Sequence, residues 1–306
     1  MRIAFAQTLV ELAQADERIV LLTADLGFGV LDEFARTHPQ RFYNVGVAEA
    51  NMVGLATGLA ESGYIPFLYS IATFASLRPY EQWRNGPVLH RLPVRLIGIG
   101  GGFEYGTNGV THAALEDIGV MRLLPGVQIV IPADQRQAQN ALRATYAAPH
   151  PIYYRISKNE NDDILDLDGE FHPNRVEIAR EGKDILLLVA GPLARTALTA
   201  ADELAASGTD AGVAVMTSLE PASRAALADL LPNYRLVVTV ESHRENGGVG
   251  SLVAESIAEG GYNCRLVRCG VNAVSDGISG SETYMNKKNG LDASTITRLV
   301  HEAIPV

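Results

Sequence analysis

Short apolar segments that alternate with helical ones constrain the fold of this chain more than any other feature of its sequence. Residues 19–23, 127–131 and 152–156 are mainly apolar runs of strand length, and helical patterns lie between such runs. A strand that is apolar along its whole length is typical of a sheet covered on both faces, as parallel sheets are. Parallel neighbours also need crossover connections, so the alternation predicts mostly parallel sheets with helices on both sides.

The alternation is interrupted once, between residues 158 and 180. This segment is rich in Asn, Asp and Glu and has no apolar periodicity, which is typical of a linker. The alternation resumes at residue 184. A length of 306 residues suits two domains. We therefore predict an α/β fold made of two three-layer α/β domains with mostly parallel sheets, residues 1–172 and a smaller unit, residues 173–306.

Composition and charge exclude several classes of protein. Hydrophobic residues make up 47% and charged residues 20%, which indicates a substantial core. The formal net charge of -10 argues against nucleic acid or an anionic membrane as the main partner. Cys264 and Cys269 do not form a metal-binding motif, so we expect no metal site on this chain and a reduced, cytoplasmic environment. We also expect no signal peptide and no transmembrane segment.

Glu49 stands at a predicted change from strand to helix. Residues 43–47 predict a short strand, and the following segment to residue 60 predicts a helix with small glycines. A carboxylate at a helix start is common, because free N–H groups favour it there. However, Val47, Ala48 and Ala50 surround this one with apolar side chains. A carboxyl group in apolar surroundings can stay protonated near neutrality and donate a hydrogen bond.

Two further segments carry candidate functional side chains. Residues 70–89 predict one helix that bears Phe74, a ring that could stack on a ligand or simply belong to the core. Residues 100–112 contain five glycines and end at His112, after a predicted strand. Such a loop allows a close approach of ligand or chain, and its histidine is either a proton-transfer group or structural.

The common nucleotide and hydrolase motifs are absent from the sequence. Gly98, Gly100 and Gly102 do not complete a dinucleotide fingerprint, and no Walker A, HExxH or GxSxG motif occurs. The glycines of residues 247–250 lie at a predicted helix start, where they could bind phosphate. We favour close packing of strand against helix as their role.

Several of these segments together resemble the transketolase family of thiamine diphosphate enzymes. Gly46-Val-Ala-Glu49 is similar to the family's Gly-x-x-Glu in the pyrimidine-binding module. Asn108-Gly-Val-Thr-His112 resembles its Asp-Gly-x-Thr-His segment, and the resemblance continues through residues 121–125 and 132–134. It extends in one register from residue 25 to residue 155. Residues 237–251 are similar, less distinctively, to the family's C-terminal domain.

The resemblance implies specific roles toward the cofactor. Glu49 matches the acid that hydrogen-bonds the pyrimidine N1′ and activates the cofactor. Phe74 matches the aromatic residue that stacks on the aminopyrimidine, and Ile71 lies beside it as a further cofactor contact. The resemblance implies an enzyme that transfers a two-carbon ketol unit from a ketose to an aldehyde, with thiamine diphosphate as its cofactor.

The resemblance also implies a substrate site. His112 matches the histidine that contacts the substrate oxygen and acts catalytically. Arg155 matches an arginine that holds the sugar phosphate, and Asp25 lies on the active-site edge. Two positions depart from the family pattern, because Asn108 replaces an aspartate and Gly100 or a neighbour replaces a histidine. These changes predict a substrate other than the ordinary pentose phosphates, or one held differently.

The chain has no Gly-Asp-Gly triplet, the family's diphosphate and metal segment. The resemblance therefore implies the second half of a split transketolase. Its partner would be an N-terminal subunit that binds the diphosphate and supplies most of the ligands of its Mg²⁺ or Ca²⁺ ion. The two subunits would form an α2β2 assembly that acts on a sugar phosphate. The alternatives are the β subunit of a 2-oxo-acid dehydrogenase, a deoxyxylulose-phosphate-synthase-like enzyme, and a non-catalytic subunit that keeps only the fold.

Overall fold

The computed structural model describes residues 1–160, 163–219 and 223–304. The first part of the chain alternates between strands and helices, as the sequence predicts. Its strands are β1 (Ile19–Thr23), β2 (Phe42–Asn44), β3 (Ile65–Ile71), β4 (Arg95–Ile99), β5 (Gln128–Val130) and β6 (Ile152–Ile156). Its helices are α1 (Arg2–Ala15), α2 (Asp32–Thr37), α3 (Glu49–Glu61), α4 (Ala72–Leu77), α5 (Tyr80–Trp83), α6 (Asp117–Arg122) and α7 (Gln135–Thr145).

The second part of the chain repeats the alternation on a smaller scale. Its strands are β7 (Glu177–Arg180), β8 (Asp184–Val189), β9 (Ala211–Val215), β10 (Ser218–Leu219), β11 (Tyr234–Arg244) and β12 (Arg265–Val271). Its helices are α8 (Ala194–Ala206), α9 (Ser223–Leu230), α10 (Val249–Gly260), α11 (Glu282–Lys288) and α12 (Ala293–Ala303).

The strands form two mostly parallel sheets. The first has the order β10-β5-β6-β4-β3-β1-β2 and the second the order β12-β11-β8-β9-β7. All pairs are parallel except β10 with β5 and β7 with β9, which lie at sheet edges. The strand β10 belongs to the second part of the chain but completes the first sheet. The predicted α/β class with mostly parallel sheets is thus confirmed, while the predicted boundary at residues 172/173 falls between β6 and β7.

Helices cover both faces of each sheet and bury an apolar core. Helices α1, α2 and α7 pack on one face of the first sheet through residues such as Phe5, Phe34 and Leu142. The core on its other face, which includes Met52 and Trp83, is continuous with part of the second domain's core. A third apolar cluster lies between the second sheet and helices α8 and α12. The two domains therefore share buried surface. This shared surface fixes the loop of residues 100–112, here called the glycine loop, against the second domain.

Two local predictions need correction. The predicted strand 43–47 is shorter, because β2 ends at Asn44 and a turn with Gly46 at a φ of 73° follows it. The predicted single helix over residues 70–89 is instead the end of β3 followed by α4, α5 and a wide helical turn. Pro79 separates α4 from α5, since proline lacks the N–H that a continuous helix requires.

Candidate functional site

The candidate site lies where the carboxyl ends of β1, β3 and β4 meet. These strands are adjacent and parallel in the first sheet, so the loops that follow them converge at one edge. The loop after β1 carries Asp25, the segment after β3 carries Phe74, and the loop after β4 carries His112. Helix α3 begins at Glu49 at the same edge.

Glu49 is buried, with only 2% of its surface exposed. One carboxylate oxygen, Oε1, accepts a hydrogen bond from the Ser70 hydroxyl at 3.3 Å. The Arg78 Nη1 atom lies 2.9 Å from each of the two carboxylate oxygens. The expectation of wholly apolar surroundings is therefore wrong, because Arg78, which is 29 residues away in sequence, provides a charged partner. Both oxygens of this buried carboxylate are therefore held by Arg78.

Phe74 brings two other side chains next to that carboxylate. Its ring packs edge-on against the His112 ring, with centroids 5.1 Å apart and planes at 68°. The Arg78 guanidinium carbon lies 3.8 Å from the Phe74 ring centroid, the geometry of a stacked cation. Ile71 ends β3 immediately before the helix that bears Phe74, and its side chain is buried. The structure thus brings Glu49, Phe74 and His112 together as the sequence predicts.

Asp25 lies at the same edge and is held by a residue that the sequence reasoning missed. The Asn44 amide donates to Asp25 Oδ1 at 2.8 Å, and Asn44 Oδ1 accepts from the backbone N–H of Asp25 and of Gly46. Asp25 has a positive φ of 59°, a conformation that aspartate tolerates better than most residues. The sequence offered one signal for Asn44, because its side-chain amide lies at a strand end two residues before Gly46.

The glycine loop includes Asn108 and approaches the second domain. Asn108 is exposed and ends a short helical turn, four residues before His112. The His112 Nδ1 atom lies 3.0 Å from the Thr111 hydroxyl. Gly102 pairs with Ala114 across the loop, and a Cβ atom at Gly102 would lie 2.0 Å from the Ser242 hydroxyl. Glycine is therefore required where the loop meets the second domain.

Arg155 is buried and paired with an acid of the glycine loop's following helix, Asp117. Its side chain is 5% exposed, with Nε 2.8 Å from Asp117 Oδ2 and Nη2 donating to Asp117 Oδ1. Nη2 also donates to the carbonyls of Ala114 and Ser242 at 2.9 Å. These contacts engage Nε and Nη2. That Arg155 holds the substrate phosphate stays a prediction. Arg155 supports the glycine loop and links it to the second domain.

Glu104, in the same loop, is a second buried acid that the sequence reasoning did not single out. It accepts a hydrogen bond of 2.6 Å from the Lys158 backbone N–H. Burial raises the pKa of Glu104 to about 7, and the nearby Glu282 carboxylate adds to this shift. The loop that carries His112 therefore contains a group that titrates near neutrality.

The glycines of residues 247–250 serve packing, as we favoured. Glu241 accepts hydrogen bonds from the N–H groups of Val249 at 2.7 Å and Gly250 at 2.8 Å. A Cβ atom at Gly248 would lie 2.1 Å from Glu241 Oε2. A carboxylate of the chain itself thus fills the start of α10, where a phosphate would otherwise bind.

The fold is that of two α/β domains with a cluster of side chains at one sheet edge, and comparisons with known proteins identify the class to which it belongs. Residues 1–162 match the family model "transketolase, pyrimidine binding domain", and residues 174–296 match "transketolase, C-terminal domain". The chain belongs to the transketolase family. It is 34% identical to a putative transketolase C-terminal section of Methanocaldococcus jannaschii, over 99% of this chain and 95% of that one.

Two other similar proteins are a transketolase subunit and a split gene transketolase. One is the 6-deoxy-6-sulfo-D-fructose transketolase subunit of Clostridium sp. strain MSTE9, 36% identical over 99% of this chain and 94% of that protein. The other is a solved split gene transketolase, described as an inactive beta4 tetramer. It aligns with a TM-score of 0.88 and 35% identity over 99% of this chain and 97% of that one. These relatives do not favour a 2-oxo-acid dehydrogenase or a non-catalytic subunit.

Among residues 1–160, 163–219 and 223–304, no helix has the length and apolar character needed to span a membrane.

Proposed function

We propose that this chain is the β subunit of a two-subunit transketolase, which transfers a two-carbon ketol unit between sugar-like substrates. The observation that carries the proposal is the contact between Glu49 and Phe74 on one side and the planar Arg78 guanidinium on the other. The guanidinium serves as a stand-in for an aminopyrimidine ring. It is flat, it presents N–H donors to the carboxylate, and it lies against the aromatic face. Residues present in this chain therefore fit the pyrimidine of thiamine diphosphate.

The cofactor, when bound, supplies the carbanion-stabilising chemistry of the reaction. Glu49 would exchange a proton with the pyrimidine N1′, and its burial would protect that hydrogen bond from water. Phe74 and Ile71 would orient the pyrimidine ring. His112 lies against Phe74 and would exchange a proton with the substrate oxygen. Asp25 and Asn108 would contact substrate hydroxyl groups at the same edge of the sheet.

A second subunit would complete the site. The sequence has no Gly-Asp-Gly segment for the diphosphate and its Mg²⁺ or Ca²⁺. Phe28, Val47 and Val110 are large apolar side chains in the site's loops and are mainly exposed. Burying them against an N-terminal, diphosphate-binding subunit in an α2β2 assembly would remove this surface from water. We propose a sugar phosphate as substrate and the cytoplasm as the location.

Affinity for the cofactor distinguishes a complete enzyme from half of one. The contacts this chain offers are charge-assisted hydrogen bonds, worth about 1.5–3 kcal/mol, and ring stacking, worth about 0.5–1.5 kcal/mol. Their sum of about 4 kcal/mol corresponds to a dissociation constant of about 1 mM at best. We therefore expect calorimetric titration with thiamine diphosphate and Mg²⁺ to show no sub-micromolar binding by the chain alone.

The matched titration contains a second subunit of similar length that carries Gly-Asp-Gly and is encoded in the same genome. We expect tight binding and ketol-transfer activity only in this mixture. Sub-micromolar binding by the isolated chain would show that the split-enzyme proposal is wrong.

A further inference from the structure

Arg78 makes both contacts that the proposed cofactor ring requires. It follows α4, and its guanidinium turns back over Phe74 toward Glu49. It lies 2.9 Å from both carboxylate oxygens and stacks 3.8 Å from the centroid of the Phe74 ring. A second planar group cannot occupy the same face of that ring and the same carboxylate oxygens at once, since the guanidinium is already in van der Waals contact with the face and hydrogen-bonded to the oxygens.

We propose that Arg78 is a placeholder in the pyrimidine pocket, and that its side chain must rotate away before the aminopyrimidine binds. This inference rests on the proposed function, because it takes the Glu49 and Phe74 contacts as the pyrimidine site. In this inference Arg78 competes with the cofactor ring for the pocket. The position of that side chain therefore sets the fraction of the protein whose pocket is open to the ring.

Burial of Glu49 explains why the pocket needs such a partner. The carboxylate is 2% exposed, and its other side-chain hydrogen bond is the 3.3 Å contact from Ser70. A buried carboxylate without a charged partner is costly, so Arg78 stabilises the folded chain while the ring is absent. The aminopyrimidine then replaces Arg78 as the hydrogen-bonding partner of Glu49.

The position of Arg78 also explains how it can leave. Its side chain is 43% exposed, and its backbone N–H is held by the Phe74 carbonyl at 3.3 Å. A change of side-chain rotamer therefore frees the pocket without moving the helix. Ion pairs with this much exposure are weak, about 1 kcal/mol at most. That energy corresponds to about a fivefold preference for the closed arrangement.

The consequence is a measurable reduction in affinity. When only the open fraction of a protein binds a ligand, the apparent dissociation constant is the intrinsic one divided by that fraction. A fivefold preference for the closed arrangement leaves about one sixth of the protein open and thus weakens binding about sixfold. Removing the guanidinium should recover this factor, provided that Glu49 and Phe74 remain in place.

The test uses the purified full chain and 4-amino-2,5-dimethylpyrimidine, which represents the ring without the diphosphate. Ligand-observed NMR titration measures millimolar affinities directly. We expect Arg78→Ala to bind the pyrimidine about sixfold more tightly than wild type. The matched control is Arg143→Ala, because Arg143 is also 43% exposed and pairs with Glu11 at 2.9 Å on a distant helix. We expect the control to bind as wild type does.

The outcomes separate this inference from the proposed function. A gain in Arg78→Ala that disappears when Glu49→Ala is added supports the placeholder. Binding by Arg78→Ala that is no tighter than wild type overturns it, and weaker binding by Phe74→Ala then still supports the pyrimidine site. Unchanged binding in both Glu49→Ala and Phe74→Ala overturns the proposed pyrimidine site, and the placeholder with it.

A second measurement follows Arg78 in the wild-type protein, and a conservative variant serves only to assign its signal. The Arg78 side-chain N–H signal in an ¹H–¹⁵N spectrum is assigned by its disappearance in Arg78→Lys. In wild type, we expect this signal to be shifted from that of free arginine and to move toward it as the pyrimidine is added. A signal that stays unchanged at a saturating pyrimidine concentration contradicts displacement.

Discussion

The substitution Glu49→Gln tests the central residue of the proposed site. Glutamine keeps the size of the side chain and a carbonyl acceptor for the Ser70 hydroxyl and one Arg78 N–H. It loses the charge and the ability to exchange a proton with the pyrimidine N1′. We therefore expect the variant to fold and assemble, and to lose the chemical step rather than the binding step.

The structure sets the expected magnitudes. The lost ion pair involves an arginine that is 43% exposed, so its contribution to the free energy of unfolding is about 1 kcal/mol or less. Cofactor binding should stay within about tenfold of wild type, which is about 1.4 kcal/mol. The rate should fall by a factor on the order of 100 or more, the scale of lost general acid–base catalysis.

Exchange of the cofactor C2 proton isolates the step from substrate chemistry. The assembled enzyme is mixed with D₂O, quenched with acid and analysed by NMR, for wild type and for Glu49→Gln. The structural control is Glu61→Gln at the other end of α3, which should exchange as wild type does. If Glu49→Gln exchanges the C2 proton as fast as wild type, Glu49 is an ordinary helix-start carboxylate and the reasoning is refuted.

Two further predictions concern the glycine loop. Arg155→Met leaves Asp117 buried without its charged partner, so urea unfolding should show a loss of about 3–5 kcal/mol. The double variant Arg155→Met, Asp117→Leu should recover most of the lost free energy of unfolding. If Arg155→Met instead keeps full stability and selectively raises KM for phosphorylated substrates, the role of Arg155 in holding the phosphate is supported. Burial raises the pKa of Glu104 to about 7. Between about pH 4.5 and 7 the folded state therefore keeps a proton on Glu104 that the unfolded state has lost, so the free energy of unfolding should fall by about 3 kcal/mol as pH rises through this window. Glu104→Gln should flatten this fall in urea unfolding free energy, the exposed Glu11→Gln should not, and an equal pH slope in both would contradict the assignment.

The sequence predicts the architecture well because the decisive signals are local. Apolar runs of strand length are visible without any tertiary information, and they recur as β1, β5 and β6. The helix that starts at Glu49 is likewise a local property, since the turn at Gly46 precedes it. The two-residue strand β10 could not be predicted, because two residues carry no periodicity and only pairing with β5 defines them.

The candidate site was predicted only in part, for a geometric reason. Glu49, Phe74 and His112 were found through motifs at fixed spacings. Arg78 was missed because its role depends on the break at Pro79 and on the direction of α4, which no spacing reveals. The pairing of Arg155 was missed because sequence position does not show that Asp117, 38 residues earlier, lies within hydrogen-bonding distance.

The strand β10 connects the two domains, because it belongs to the C-terminal part of the chain but completes the sheet of the N-terminal domain. Ser218 and Leu219 pair with Val130 and Ile129, and Gln128 donates to the Ser218 hydroxyl at 3.0 Å. A fragment that ends at residue 172 would expose the edge of β5, and an unpaired edge strand is a template for aggregation. A chimera that exchanges the C-terminal unit must therefore carry over residues 217–219, or it will remove part of the sheet that supports Glu49.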